Sequence, residues 1–387
     1  MKDEKVNLES VNNRNREILT KNRSKVAVVK TKPETVLDDI ARAMDLAEYH
    51  KFITPEYITH LKINISWHFY YPACSTTPWQ LEGVTKKLLN DGFLTEKLLY
   101  THNNTVVVDP EIGHINNHLA SVEKKYGIKT IYIQKPQIRW IPFRAKEDTP
   151  ALDSVYGRYI TIPYNFPGTN IIQLPTMKTH VFTVITGAMK NAFGGLLNTK
   201  RHYTHSVIHQ TLVDLLAIQY EIHQGVFAVM DATVGGEGPG PRLMQPRRVN
   251  MILASGDQVA IDAVSAKIMG IDPMSLDFIR IAHERGLGRG ELSEIDVVGE
   301  DISDINLHFK SHRNTFASIG QKAIYHGPLK PLEKILLRTP LVPWSYIASI
   351  AYHDWFWYPL VGKRRVKRFL EESEWGELFQ KYGENPD

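Results

Sequence analysis

Short apolar, β-branched runs recur along the chain at Lys62–Ser66 (KINIS), Thr105–Asp109 (TVVVD), Thr130–Gln134 (TIYIQ) and Asn170–Leu174 (NIIQL). Three more follow at Val226–Asp231 (VFAVMD), Val249–Ser255 (VNMILAS) and Ile295–Val298 (IDVV). Their length and the turn residues around them predict buried strands. Between them, apolar positions at helical spacing predict helices over Trp79–Asn90, Ile115–Tyr126, Ser206–His223, Gln258–Met269 and Ser275–Arg285. Strands alternating with helices predict an α/β fold, with a largely parallel or mixed sheet and flanking helices. Thr76-Thr77-Pro78 ahead of the first helix predicts a hydroxyl cap with proline in the first turn. A helix start of this kind can also hold an anion.

The pattern divides the chain in three. Residues 1–25 are polar, lack the apolar stretch of a secretory signal, and predict a solvated tail. Residues 26–305 carry the α/β pattern, and residues 306–387 predict a helical, aromatic and basic C-terminal extension. Within the extension, residues 341–369 hold Trp344, Trp355, Phe356 and Trp357, followed by Lys363, Arg364, Arg365, Lys367 and Arg368. Rings beside a basic cluster suit the surface of a bilayer, where aromatics sit at headgroup level and cations meet anionic lipid. His353, Asp354, Pro343 and Pro359 argue against a spanning helix. The other reading is a subdomain whose aromatics pack on the main body. No run of about 18 uncharged apolar residues precedes residue 340. A cytoplasmic chain, peripheral to a membrane through residues 341–369, is the expectation.

Composition narrows the function classes. With 43% hydrophobic and 23% charged residues the chain is an ordinary globular protein. A net charge of +4 gives no argument for nucleic acid, and no basic strand interleaved with aromatics appears, so no nucleic-acid partner is expected. A single cysteine, Cys74, excludes an intramolecular disulfide, a thiolate zinc site and an all-cysteine iron–sulfur cluster.

The densest polar chemistry lies between Pro175 and His209. Sixteen histidines in 387 residues would place one or two in such a 35-residue window; it holds four, His180, His202, His205 and His209. Lys178-Thr179-His180 follows the strand NIIQL directly, at the carboxyl edge where open parallel sheets bind ligands. His180 is a candidate acid or base. Lys178 and Lys190 are candidate clamps for a carboxylate or phosphate, and Lys190 a candidate amine nucleophile if desolvated. Asn191 and Gly194 stand beside Lys190, where glycine lets backbone approach a ligand. His202, His205 and His209 share a face on a helix, which makes His202 and His205 candidate transition-metal ligands or part of a polar surface. Further on, Asp231 ends a strand, and the loop through Gly238 to Arg242 forms either a wall of the site or a plain connection. Asp257 reads as a helix cap. No GxSxG, HExxH, Walker A, CxxC or EF-hand pattern occurs.

Three blocks, LPTMKTHVFTVITGAMKNAFGGL, VMDATVGGEGPGPR and ILASGDQVAIDAVSAKIMGID, resemble in this order the domain of unknown function 362 family. The resemblance runs from about Leu61 to Val298. That family often accompanies ferredoxin-type iron–sulfur domains, and its biochemical role is generally unassigned. This chain has no cysteine cluster, so no iron–sulfur cluster carries over. Thr176 stands where the family usually shows lysine. The order His180, Lys190, His205 is also similar to the core of lactate racemase-type nickel-pincer enzymes. That similarity implies Lys190 holding a pincer cofactor, His180 as acid or base, and His202 or His205 on nickel. Together the residues point to an enzyme acting on a small anionic molecule at the sheet's carboxyl edge. The alternative is a non-catalytic accessory protein that meets a redox partner or membrane surface through the C-terminal segment.

Overall fold

A computed structural model describes residues 11, 13–21, 23–103, 107–197, 199–311, 319, 324 and 343–384. Its main sheet is built from β1 (Ser24–Lys30), β2 (Thr59–Ile63), β3 (Leu98–His102) and β4 (Lys129–Tyr132), while β5 (Trp140–Phe143) and β6 (Ile160–Pro163) form a separate antiparallel pair. The main sheet continues with β7 (Thr169–Leu174), β8 (Thr176–His180), β9 (Val184–Ile185), β10 (His223–Glu237), β11 (Gln245–Ser255) and β12 (Ile295–Gly299). Its order is β12-β1-β11-β10-β7-β2-β3-β4, with β8 on the far half of β10 and β9 on β8. From β10 to β4 every pairing is parallel. β11 runs antiparallel to both β10 and β1.

Before the third strand lie α1 (Arg14–Lys21), α2 (Val36–Leu46) and α3 (Pro78–Asn90). They are followed by α4 (Pro110–Asn116), α5 (Leu119–Tyr126), α6 (Pro150–Tyr156), α7 (Ala188–Leu196), α8 (Ile208–Ile222), α9 (Gln258–Met269) and α10 (Asp277–Glu284). Side chains of β10 alternate between two cores, as a pleated strand requires. Phe227 and Val229 join Ile40 of α2 and Trp79, Val84 and Leu88 of α3. Ala228, Met230 and Ala232 join Met189, Leu212, Leu216 and Ile261 from α7, α8 and α9. The α/β pattern read from the sequence is this layered fold.

The segment read as a solvated tail contains α1, whose Asn15 is wholly buried. Its amide donates to Val226 O (2.7 Å) and Gly256 O (2.6 Å), and its oxygen accepts from Val226 N (2.8 Å). A polar sequence is here a set of satisfied hydrogen bonds. The run Thr105–Asp109 lies partly outside the described residues; the strand precedes it, at Leu98–His102. Asp109 caps α4 instead, accepting from Glu111 N (2.9 Å) and Ile112 N (3.2 Å). The helix read over Ile115–Tyr126 is broken at His118, whose φ of 55° ends one helix and starts the next.

At the C-terminus, α11 (Pro343–Ile350), a π-helix over Ala351–Gly362, α12 (Lys363–Glu372) and α13 (Glu374–Glu384) follow one another. Trp375 and Phe379 of α13 are buried in the α2/α3 core. No helix among the described residues is long and apolar enough to cross a membrane.

Candidate functional site

Lys62 is the penultimate residue of β2, and its side chain is wholly buried. Its amine donates to Ile63 O (2.6 Å) and to Asn103 Oδ1 (2.7 Å), just past the end of β3. α7 packs over this pair because it carries Gly194 and Gly195. A Cβ at Gly194 would stand 2.5 Å from the Asn103 amide, and one at Gly195 would stand 3.0 Å from Lys62 Cε. These glycines admit protein side chains, where the sequence suggested room for a ligand.

After Pro175 the chain leaves β7 and pairs with the far half of β10 as β8, which carries Lys178 and His180. Lys178 is buried and donates to Ser66 Oγ (3.1 Å) and to Cys74 O. His180 Nδ1 accepts from Phe182 N (3.1 Å) and Thr183 N (3.3 Å). Two backbone donors on Nδ1 leave the ring's proton on Nε2. Burial, together with Lys190, His205, Lys178 and His209, holds this imidazole neutral, well below the usual histidine range. His180 is therefore an N–H donor through Nε2 in this arrangement.

Lys190, on the first turn of α7, is partly exposed, with its amine 5.0 Å over the Phe193 ring. Burial, and then the charges of Lys178 and Arg201, lower its amine to about 7. Burial and Arg201 bring Lys62 to about 7 as well, and burial brings Lys178 to about 8. Buried Arg201 is lowered to about 10. None of the three lysine amines has a carboxylate partner among the described residues. Burial of cations without counter-charge is unfavourable. Lys62 and Lys178 are buried in this way at one edge of the sheet, Lys190 feels the charges of Lys178 and Arg201, and Lys62 feels that of Arg201.

The remaining candidates make the following contacts. Asn191 donates to Lys62 O (2.9 Å) and Gln173 Oε1 (2.9 Å), so it ties α7 to the ends of β2 and β7. Asp231 is buried on the α3 face of the sheet, accepting from Thr77 Oγ1, from Trp79 Nε1 (3.0 Å) and from Thr233 N (2.7 Å). It therefore closes the start of α3, where Thr77 is the cap that the sequence predicts. Gly238 O accepts from Thr179 Oγ1 (2.8 Å), and Gly240 O from Val181 N (3.2 Å). The glycine-rich loop thus backs the strand that carries Lys178 and His180. Arg242 donates to Ser66 O (3.3 Å), next to Lys178, and its buried Nη1 has no hydrogen-bond partner among the described residues. Arg247 lies against Glu237 and Leu307 O.

His205 lies in the 3-10 helix Thr199–Val207 between the rings of Phe182 (5.4 Å) and Phe193 (5.8 Å). The side chain of His202 is outside the described residues. Among the described residues no group of three or more His, Cys, Asp or Glu could hold a metal ion.

The sequence reading missed Lys62, Asn103 and Arg201. KINIS reads as a buried strand, but nothing in the run singles out its lysine; the parallel neighbours on both sides of β2 enclose it. Asp262 was also missed. It accepts from Ala188 N (2.7 Å) and Met189 N (3.1 Å), closing the start of α7, and Gly187 leaves space for it. Asp257 is the cap of α9 that the sequence predicts, accepting from Val259 N (2.8 Å) and Ala260 N (3.0 Å).

The loop behind β8 gives a direct check. A Cβ on Gly240 would stand 1.9 Å from Thr179 O, a backbone atom that cannot swing away. Gly240→Ala is expected to destabilise the fold by roughly 1–3 kcal/mol. Urea unfolding should show a lower midpoint at an unchanged slope.

A family model for a domain of unknown function, DUF362, matches residues 60–267, more than half of the chain. The chain is also 24% identical over 161 residues to the thylakoid-associated protein sll1697 of Synechocystis sp., an alignment covering 38% of this chain and 50% of that protein. The chain thus spans half the length of this relative.

Proposed function

This chain belongs to the DUF362 family, whose match holds every member of the cation cluster, and on that basis we propose an enzyme for a small anionic substrate. The observation that carries the reading is the burial of Lys62 and Lys178 at the carboxyl edge of the sheet, with Lys190 and Arg201 near enough to feel or exert charge there, and without a carboxylate on the lysines among the described residues. An anion of matching size would supply the missing counter-charge, and charge-assisted hydrogen bonds would hold it.

The roles follow from exposure and protonation. Lys178, Lys62 and Arg201 are buried and fixed by neighbours, which suits them to clamp the anion. Neutral His180 offers Nε2–H to a substrate oxygen. Lys190 is the amine that a substrate reaches, and at about 7 it is half unprotonated near neutral pH. An amine so poised takes a proton from a carbon or oxygen acid beside the bound anion, then returns it. A panel of small carboxylates and phosphate esters in deuterated water tests this. Proton NMR should show a C–H signal of one class exchanging with wild type at least a hundredfold faster than with Lys190→Ala. Exchange that survives in Lys190→Ala removes Lys190 from this role; no exchange with any class removes the acid–base step.

For location we infer a place at the surface of a membrane. Support comes from the thylakoid association of the relative and from the aromatic and basic side chains of the C-terminal helices.

A further inference from the structure

We propose that the outward face of the helical segment from α11 through α12 lies on an anionic lipid bilayer, an inference that rests on the peripheral location proposed above. The C-terminal aromatics divide into two sets. One set is turned inward: Tyr358 stacks on Phe69 (4.2 Å) and meets Trp67 edge-on (5.0 Å), while Trp357 meets Tyr71 (5.7 Å). Buried Asp354 accepts from Trp67 Nε1 (2.6 Å), and Val366, Phe369 and Leu370 pack on the same core. The segment is thereby fixed to the body by one side.

The other side is exposed in a regular stripe. Exposed pairs stand at 347–348, 355–356, 359–360, 363–364 and 367–368, the last four of them at intervals of four residues. In order they read Ile-Ala, Trp-Phe, Pro-Leu, Lys-Arg and Lys-Arg, so the stripe changes from apolar to cationic at Gly362. Trp355 is 70% exposed, Ile347 59%, Phe356 58% and Leu360 53%. Large apolar side chains held out in water along a single face are a surface awaiting a partner. Two Lys-Arg pairs continue the stripe before it ends at exposed Glu371 and Glu372, which lie 3.7 Å from Lys367 and 4.0 Å from Arg368. The basic side chains nearest the rings, Lys363 and Arg364, select that partner, because a bilayer takes rings at headgroup depth and gathers Lys and Arg by its negative surface potential.

Flotation of the full chain with liposomes tests the face. Wild type should rise with vesicles of phosphatidylcholine and phosphatidylglycerol, far less with phosphatidylcholine alone, and be released by salt. Trp355→Ser/Phe356→Ser and Arg364→Glu/Arg368→Glu, all at exposed positions, should keep the wild-type melting temperature and lose at least tenfold in binding, since each basic side chain near an anionic surface contributes roughly fivefold. Vesicle binding that both variants retain overturns the face and leaves the peripheral location standing. No binding to either vesicle overturns both. A dimer of wild type that Trp355→Ser/Phe356→Ser dissolves assigns the face to a second copy and also overturns the proposal.

Discussion

Lys62→Met should make the protein more stable and unable to hold an anion. Methionine matches the lysine stem in length, so the space beside Gly195 stays filled. It removes a buried amine that burial and Arg201 disfavour in its charged form. Replacing buried charge with apolar volume is often stabilising, by roughly 1–4 kcal/mol, which thermal unfolding would read as a rise of several degrees. Anion binding should weaken about a hundredfold, because a charge-assisted hydrogen bond in a desolvated site is lost. A stability gain paired with a binding loss is the mark of a residue kept for function. If Lys62→Met unfolds the chain, the amine is instead a structural strut between Ile63 O and Asn103.

The unliganded protein should become more stable as pH rises from about 8 to 9.5. Lys62 has an ordinary value of 10.5 in the unfolded chain and about 7 when folded; Lys178 moves to about 8 and Lys190 to about 7. Between those limits the unfolded chain binds more protons than the native one, so unfolding takes up protons and stability climbs with pH. Below about 7 the full penalty of buried charge is present. Asp262 acts in the opposite sense: burial raises its carboxyl to about 8, so its contribution falls as pH approaches that value. The lysines are therefore read most cleanly above it. Urea midpoints across this range should rise for wild type and less steeply for Lys62→Met. A flat wild-type profile would mean that the amines keep ordinary values.

The fold was legible where local chemistry decides it. Thr77-Pro78 and Asp257 announce helix starts that the structure keeps, and NIIQL and VNMILAS are strands within a residue or a few of where they read. The dense window from Pro175 also led to Lys178, His180 and Lys190. What the sequence could not show depends on neighbours far along the chain. Lys62 is one residue of an apolar run until β3 and β7 flank it and enclose its amine. Gly194 and Gly195 look like ligand contacts until Asn103 and Lys62 fill the space above them. Asp231 reads as a wall of the site because it ends an apolar run, but the two-residue period of β10 points it at α3. His180 reads as an acid or base from its type alone, and the amides of Phe182 and Thr183 decide its tautomer.

The central claim is that the lysine cluster is an anion site, and titration calorimetry with sulfate tests it most directly, because the charge of sulfate is constant across the range of interest. Run at pH 7 in two buffers of different ionisation enthalpy, wild type should bind sulfate and take up protons as Lys62 and Lys190 become fully charged. Binding should weaken toward pH 9, and Lys190→Ala should weaken it at every pH. Sulfate binding that is independent of pH and unchanged in both Lys62→Met and Lys190→Ala, or no binding at all, would contradict the account.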